Sequence, residues 1–434
     1  MTREQAIQNT RQKAFGINQT PVIYGTIAEV GAGQEVARHF FQAGGASGTV
    51  AKTLSAYDMQ VSDSIYGVDA SGRYVSLSRL ESMLETEYAD LLTRVSASRP
   101  QETTYFAFAD TVAAKAYKSD RDCHGWMGIQ FQHAAGAEPS QVVIHVRMMD
   151  PSNRDQQEAL GILGVNLIHA AFVRTGEPGE LVDSLIEHIA WGRIEIDYLR
   201  LRGPRFAGVD NLTMNLRLVT SSLSPVVVVS PDHGPIVPAD LIFRKHVLLL
   251  RGAFRPFSQV QADMIRYGTD AFAHDLHTSD KNVVCFCEMN VAQYLSDGVD
   301  EVTDLEARVR RLIELGYNVM VSSHFRYFRL SEYFTRLGKR KIGFILSVDN
   351  IRAIMDSRYY EGMEGGILEA MAKLFASDTK LLVYPNLKPD GSTITAENVR
   401  VAGEHKHLYL HLLENGRLLP LRPDPKDLVP FGGC

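Results

Sequence analysis

The residues most able to hold a charged ligand lie in one stretch, GAGQEVARHFFQAGGASGTVAKT, residues 31–53. A glycine turn that opens a helix gathers backbone N–H groups and the positive helix end at one point, which suits an anion. Gly31 and Gly33, between the apolar run VIYGTIAEV and an apolar-faced helical segment at 34–42, have that form. Arg38 on this segment is within reach of an anion. A second cluster, Gly44, Gly45, Ser47, Gly48, Thr49 and Lys52, supplies the flexible donors, hydroxyls and cation of a phosphate cradle. Neither cluster completes a fixed motif. The dinucleotide fingerprint needs a glycine where Val36 stands, and a P-loop needs its lysine directly after a glycine, whereas Ala51 precedes Lys52. Two readings stay open: a phosphate or nucleotide contact, or two tight turns.

Acid–base chemistry needs carboxylates or imidazoles close to such a site. Asp58 and Asp63, just downstream, are candidates to position a hydroxyl or Mg²⁺, and His124 and His145 are candidates to move a proton. In VVIHVRMMD, His145 and Arg147 stand two apart and face one side of a strand. With Trp126 and Gln130 from CHGWMGIQFQH they would line a pocket. No compact Cys/His spacing points to a metal. Asp150, Asn153, Asp210 and Asn211 read as helix caps. In the second half, Glu288, Ser322, Ser323, His324, Asp349 and Asn350 fall at strand ends, where they could do acid–base work or cap loops. His407 and His411 share a helical face with Glu404, but the HExxH sequence is absent. Cys285 and Cys287 share a strand face in an apolar run and read as core.

The elements that must position these groups alternate in type. Apolar runs at 282–288 (NVVCFCE), 317–322 (YNVMVS), 341–347 (KIGFILS) and 380–384 (KLLVY) are separated by amphipathic helices. That rhythm predicts a mostly parallel sheet with helices on its faces. The first half reads as mixed α/β, with strands at 22–30, 103–109, 127–131, 141–148 and 193–201 and a long helix at 153–173. Capping boxes are expected at 78–81 and 303–306. The fold class is therefore α/β. A mixed α/β domain with the glycine-rich region spans 1–275, and a parallel α/β domain spans 276–434 and ends in a tail bearing Cys434. The polar stretch 274–281 (HDLHTSDK) is the expected linker.

A chain of 434 residues has length for about two or three domains. Its net charge of −6 argues against a broad nucleic-acid footprint. No apolar run reaches the ~20 residues of a membrane helix. The first residues lack an apolar secretory core, and four cysteines are too few for a disulfide framework, so a cytoplasmic protein is expected.

YGTIAEVGAGQEVARHFFQAGGASGTVAKTLSAYDM, HGWMGIQFQH, EPSQVVIHVRMMD and QQEALGILGVNLI together resemble a family of uncharacterised bacterial proteins. That family is loosely labelled nicotinate-nucleotide adenylyltransferase or TonB-dependent receptor. The chain has no HxGH signature for the first label. For the second it has neither a signal peptide nor many alternating lipid-facing strands. The resemblance therefore assigns no catalytic residue. The expectation is an enzyme that binds a nucleotide, with Mg²⁺ as a companion, or a phosphorylated small molecule, and performs a group transfer. The alternative is a non-catalytic homo-oligomeric assembly or accessory protein.

Overall fold

The computed structural model describes all residues except 70–71, 117–121, 175, 292–300, 339 and 429–434, so the tail with Cys434 lies outside the described residues. The chain forms two compact units, Met1–Pro225 and Val226–Cys434.

The first unit begins with α1 (Arg3–Asn18), β1 (Ile23–Val30), α2 (Glu35–Ala43), β2 (Val50–Ser55), α3 (Met59–Tyr66) and α4 (Leu77–Val95). It continues with β3 (Thr104–Ala113), β4 (His124–Phe131), β5 (Ser140–Met148), α5 (Asn153–Val173), α6 (Pro178–Ser184), β6 (Ile194–Arg202) and α7 (Asn211–Thr220). Its six-stranded sheet has the order β2-β1-β3-β4-β5-β6. The first three strands are parallel and the rest antiparallel, so the sheet is mixed. Helices cover both faces, and β1, β3 and β5 are buried along almost their whole length. On α4, Leu80, Met83, Leu84 and Leu91 recur at helical spacing and are buried against the sheet. Each such side chain contributes about 1.5–3 kcal/mol relative to exposure.

The second unit opens with β7 (Val226–Ser230), β8 (Gly234–Ile236), α8 (Pro238–Leu241), β9 (His246–Arg251), α9 (Gln259–Asp275), β10 (Val283–Asn290) and α10 (Glu301–Glu314). It goes on through β11 (Asn318–Ser322), α11 (Tyr327–Arg336), β12 (Ile342–Ser347), α12 (Val348–Ile354), α13 (Gly366–Leu374) and β13 (Thr379–Tyr384). A short hairpin, β14 (Asn386–Leu387) with β15 (Thr393–Ile394), precedes α14 (Lys406–Glu414) and β16 (Leu418–Pro420). The eight-stranded sheet has the order β16-β13-β12-β9-β10-β11-β7-β8, parallel from β16 to β11 and antiparallel at β7 and β8. The α/β class, mixed in the first unit and mostly parallel in the second, agrees with the sequence reading.

The boundary does not fall at 275. Residues 226–275 contribute β7, β8, β9 and α9 to the second sheet, and β9 lies between β12 and β10 at its centre. The polar stretch 274–281 is the end of α9 and the turn before β10, inside the second unit. Two caps also differ. Ser76 caps α4, two residues before the expected box, and α10 is already helical at Glu301. Among the described residues no helix is long and apolar enough to cross a membrane.

Candidate functional site

The glycine stretch resolves into two separate places. Gly31 and Gly33 follow the C-terminal end of β1, whereas residues 44–49 precede β2 near the start of β1, where the Gly25 N–H donates to the Thr49 carbonyl at 2.8 Å. Between them runs α2, nine residues or about 13 Å long. The two clusters therefore cannot close around one ligand.

The second cluster is built as a turn. Gly44 and Gly45 have φ of 88° and 76°, which glycine alone adopts without strain. Asn18 donates to the Phe40 and Gly44 carbonyls, closing the end of α2. The backbone N–H groups of Gly48 and Thr49 donate to Gly45 and Ala46, and Ser47 is exposed in that short turn. Thr49 is buried. Lys52 sits within β2 and pairs with Glu87 at 2.7 Å and Asp90 at 3.0 Å, both on α4. Its charge is neutralised there, away from residues 44–49. Arg38 is exposed and pairs with Glu35 at 2.9 Å.

The first cluster is different. Gly31 has φ of 99°, and a Cβ there would lie 2.1 Å from the Val112 carbonyl oxygen. A Cβ on Gly33 would lie 2.0 Å from Asp110 Oδ2. The turn thus presses on the end of β3. Glu29 and Asp110 are direct partners on the neighbouring parallel strands β1 and β3, and Ser55 on β2 is Glu29's other partner. The three side chains form one row on one face of the sheet. Asp110 is fully buried, and neither of its oxygens has a hydrogen-bond partner among the described residues. Burial, then Glu29, pushes its carboxyl well above the usual range. Burial pushes Glu29 up to about 7, against the Ser55 hydroxyl, which favours the ionised form. Nothing in the type or spacing of these two residues distinguished them in sequence, and it is the pairing of β1 with β3 that brings them together.

The predicted histidines do meet. His124 opens β4 and His145 lies on β5, and His124 Nδ1 is 3.0 Å from His145 Nε2. His145 Nδ1 is 2.5 Å from Asp197 Oδ1. Asp197, absent from the sequence-derived set, is placed by a β-bulge. His145 pairs with Tyr198 and Val146 with Ile196, which leaves Asp197 as the extra residue on β6. Trp126 closes over the relay, edge-on to His145 at 4.8 Å and to Tyr198 at 5.4 Å. Burial, then His145, lowers the His124 imidazole to about 4. Asp197 is held below the ordinary range although burial opposes this, because the His145 ring outweighs it.

In the tautomer where His145 carries a single proton, an ionised Asp197 accepts from His145 Nδ1–H, and His145 Nε2 accepts from His124 Nδ1–H. His124 Nε2 is then left with its lone pair, at the partly exposed end of a buried chain. Arg147, the register partner of His124, is buried and pairs with Asp122 at 2.5 Å. Gln130 belongs to the opposite end of β4, where it accepts from Gln141, and is not part of this group.

Asp58 and Asp63 have other work. Asp58 caps α3 by accepting from the Gln60 and Val61 N–H groups. Asp63 pairs with buried Arg79 at 2.7 Å and accepts from Tyr74 at 2.8 Å. Capping by a side-chain oxygen and pairing of a buried guanidinium explain both without a ligand.

In the second unit, Arg251 grips Glu288 through two bonds of 2.5 and 3.0 Å, and Ser322 donates to the same carboxylate at 2.5 Å. Arg251 also donates to the carbonyls of His324 and Phe325. This network ties the ends of β9, β10 and β11 together. Asp349 pairs with Arg352, and Asn350 completes a capping box with Ser347, so neither joins it. Cys287 is buried as expected, and burial pushes the Cys285 thiol up to about 12. Among the described residues no cluster of three or more His, Cys, Asp or Glu could hold a metal ion.

No protein-family model and no curated protein matches the chain. Matching solved structures include the competence/damage-inducible protein CihA from Agrobacterium tumefaciens, at 18% identity over 38% of this chain and 95% of that one, with a TM-score of 0.28. A competence or damage-inducible protein from Enterobacter asburiae matches at 12% identity over 38% and 97%, TM-score 0.28. A CinA superfamily protein from Escherichia coli matches at 15% identity over 39% and 91%, TM-score 0.25. At these values the likeness carries no argument about activity or site, which rest on the chain's own residues.

Proposed function

We propose that the first unit is an enzyme that moves a proton on a small polar substrate, with His124 as the exchanging group. The observation that carries this reading is the Asp197–His145–His124 chain, with spacings of 2.5 and 3.0 Å. Burial keeps His124 neutral and by itself weakens it as a base, and the Asp197 carboxylate behind His145 offsets this by stabilising the positive charge that develops along the chain. The proton accepted at His124 Nε2 is offset by transfer of Nδ1–H toward His145, whose imidazolium rests against Asp197. The substrate class proposed is a nucleotide or other phosphorylated molecule. Arg147, buried in register with His124, supports it as a cation on the same face, shared with Asp122.

The test is to incubate the protein with a metabolite extract and Mg²⁺ and to follow by mass spectrometry which components disappear. Turnover by the wild type that is lost in both His124→Asn and Asp197→Asn supports the reading. Equal turnover in those variants, or no component consumed by the wild type, contradicts it.

A second reading, a homo-oligomeric assembly protein, is favoured by one observation. Tyr57, Met59, Val61 and Val68, flanking and within α3, are 80, 60, 47 and 80% exposed. Apolar residues grouped in this way mark interaction surfaces. Sedimentation equilibrium tests it: self-association abolished by Tyr57→Ser with Met59→Ser supports it, and a monomeric wild type contradicts it.

A further inference from the structure

The carboxyl pair at the end of β1 and β3 is unexplained by the histidine relay, which lies on the opposite face of the sheet. Strand alternation places His124 and Trp126 on the α4 side, where a Cβ on Gly128 would touch Leu80 and Leu84. Glu29 and Asp110 face α2, where Asp110 abuts Gly33.

A buried ionised carboxylate without donors is costly, by several kcal/mol, so such a group keeps its proton. Asp110 has no donor on either oxygen, and Glu29 Oε2 has none, among the described residues. A protonated carboxyl is itself a donor. Asp110 is fully enclosed, and the acceptor beside it in register is Glu29. Glu29 in turn lies next to surface-accessible ground: Ser55 is exposed, and Gly31 and Gln34 are partly so. Gln34 donates to the Gly31 carbonyl at 2.8 Å and to the Ser55 hydroxyl at 3.3 Å, which links the row to the turn. The N-terminus of α2 has no side-chain cap. Its positive end is met by the Gly33 carbonyl, which accepts from the Val36 N–H at 3.0 Å, and by no side-chain oxygen.

We propose that Glu29 and Asp110 act as proton-bearing donors and that, with Ser55 and the N-terminus of α2, they form a proton-gated site for an oxyanion, the phosphate or carboxylate group of a small ligand. Asp110 donates to Glu29, Glu29 donates outward, and the helix end supplies the positive potential. The other titratable group acting on Glu29 is Glu35 in the first turn of α2, which favours its neutral form, and Glu29 in turn raises Asp110 on β3. Ionisation of Glu29 places a negative charge against the bound anion and removes one donor, so binding fails as the pH rises through about 7.

Sulfate is the probe for a phosphate-like ligand because it does not titrate in the relevant range, and acetate is the probe for a carboxylate. Backbone amide shifts at residues 33–36 and 55 report binding of either at pH 6 and pH 8.5. Binding of either anion at pH 6 that weakens at least tenfold at pH 8.5 supports the proposal, and the tighter anion identifies the ligand group. Glu29→Gln, which keeps a donor and cannot ionise, binds equally at both pH values; Ser55→Ala, at an exposed position, weakens binding severalfold. Binding that is pH-independent in the wild type, or no shift with either anion at pH 6, overturns it.

Discussion

At the scale of single residues, Glu29 and His124 make stability depend on pH in opposite directions. Glu29 is raised to about 7 from an ordinary 4.5. The folded state then holds a proton that the unfolded chain releases between those values, so this contribution to stability is present below about pH 4.5 and is lost as the pH rises to 7. Glu29→Gln removes the penalty and should stabilise the protein at pH 8 by roughly 3 kcal/mol, with little change at pH 4. Denaturant unfolding at the two pH values checks it, and equal stability of both proteins at pH 8 counts against the account. His124 is lowered to about 4, so its contribution is present above about 6.5 and fades as the pH falls toward 4. For catalysis, Asp197→Asn should cut turnover by roughly 10²–10⁴-fold by releasing the tautomer. His145 was legible in sequence because a strand alternates its faces, whereas His124 stood out only as a histidine just before an expected strand. Asp197 was not, since a bulge obeys no such alternation. Glu29 and Asp110 were hidden because a carboxylate inside an apolar strand carries no spacing signature.

Among the elements, the turn at 31–33 and the turn at 44–49 should respond differently to added side chains. Gly31→Ala combines a φ of 99° with a Cβ 2.1 Å from a carbonyl oxygen, so a loss of at least about 2 kcal/mol is expected. Gly48→Ala meets nothing within 4 Å at an ordinary φ and should stay within about 0.5 kcal/mol of wild type. Thermal unfolding distinguishes them, and equal effects would contradict the assignment. Lys52→Ala strips a partner from buried Glu87. It should cost about 1–3 kcal/mol of stability while leaving sulfate binding unchanged, because Lys52 and Glu29 are on opposite faces of the sheet. The composition of residues 31–53 made this stretch look like one cradle. The short edge strand β2, which carries Lys52 away from the turn, was not evident among its small polar residues.

For the molecule as a whole, strand rhythm disclosed the α/β class and most strands. It missed α1, β2 and α9, whose apolar spacing is weak, and it placed the domain boundary at a polar turn instead of at Pro225. Sheet order explains why the boundary matters. β9 is the centre of the second sheet, between β12 and β10. A fragment of residues 226–434 should therefore unfold cooperatively, whereas residues 276–434, lacking β7, β8, β9 and α9, should not. Circular dichroism through a urea titration reads this directly, and a cooperative transition in the shorter fragment would refute the division.

The most direct test of the central claim is ¹⁵N NMR of the imidazole rings across pH 3.5 to 8. His124 should be neutral, with its proton on Nδ1, until the pH falls to about 4, and Asp197→Asn should change this. A His124 ring that titrates near 6.5, or that carries its proton on Nε2 in the wild type, would contradict the relay and the function built on it.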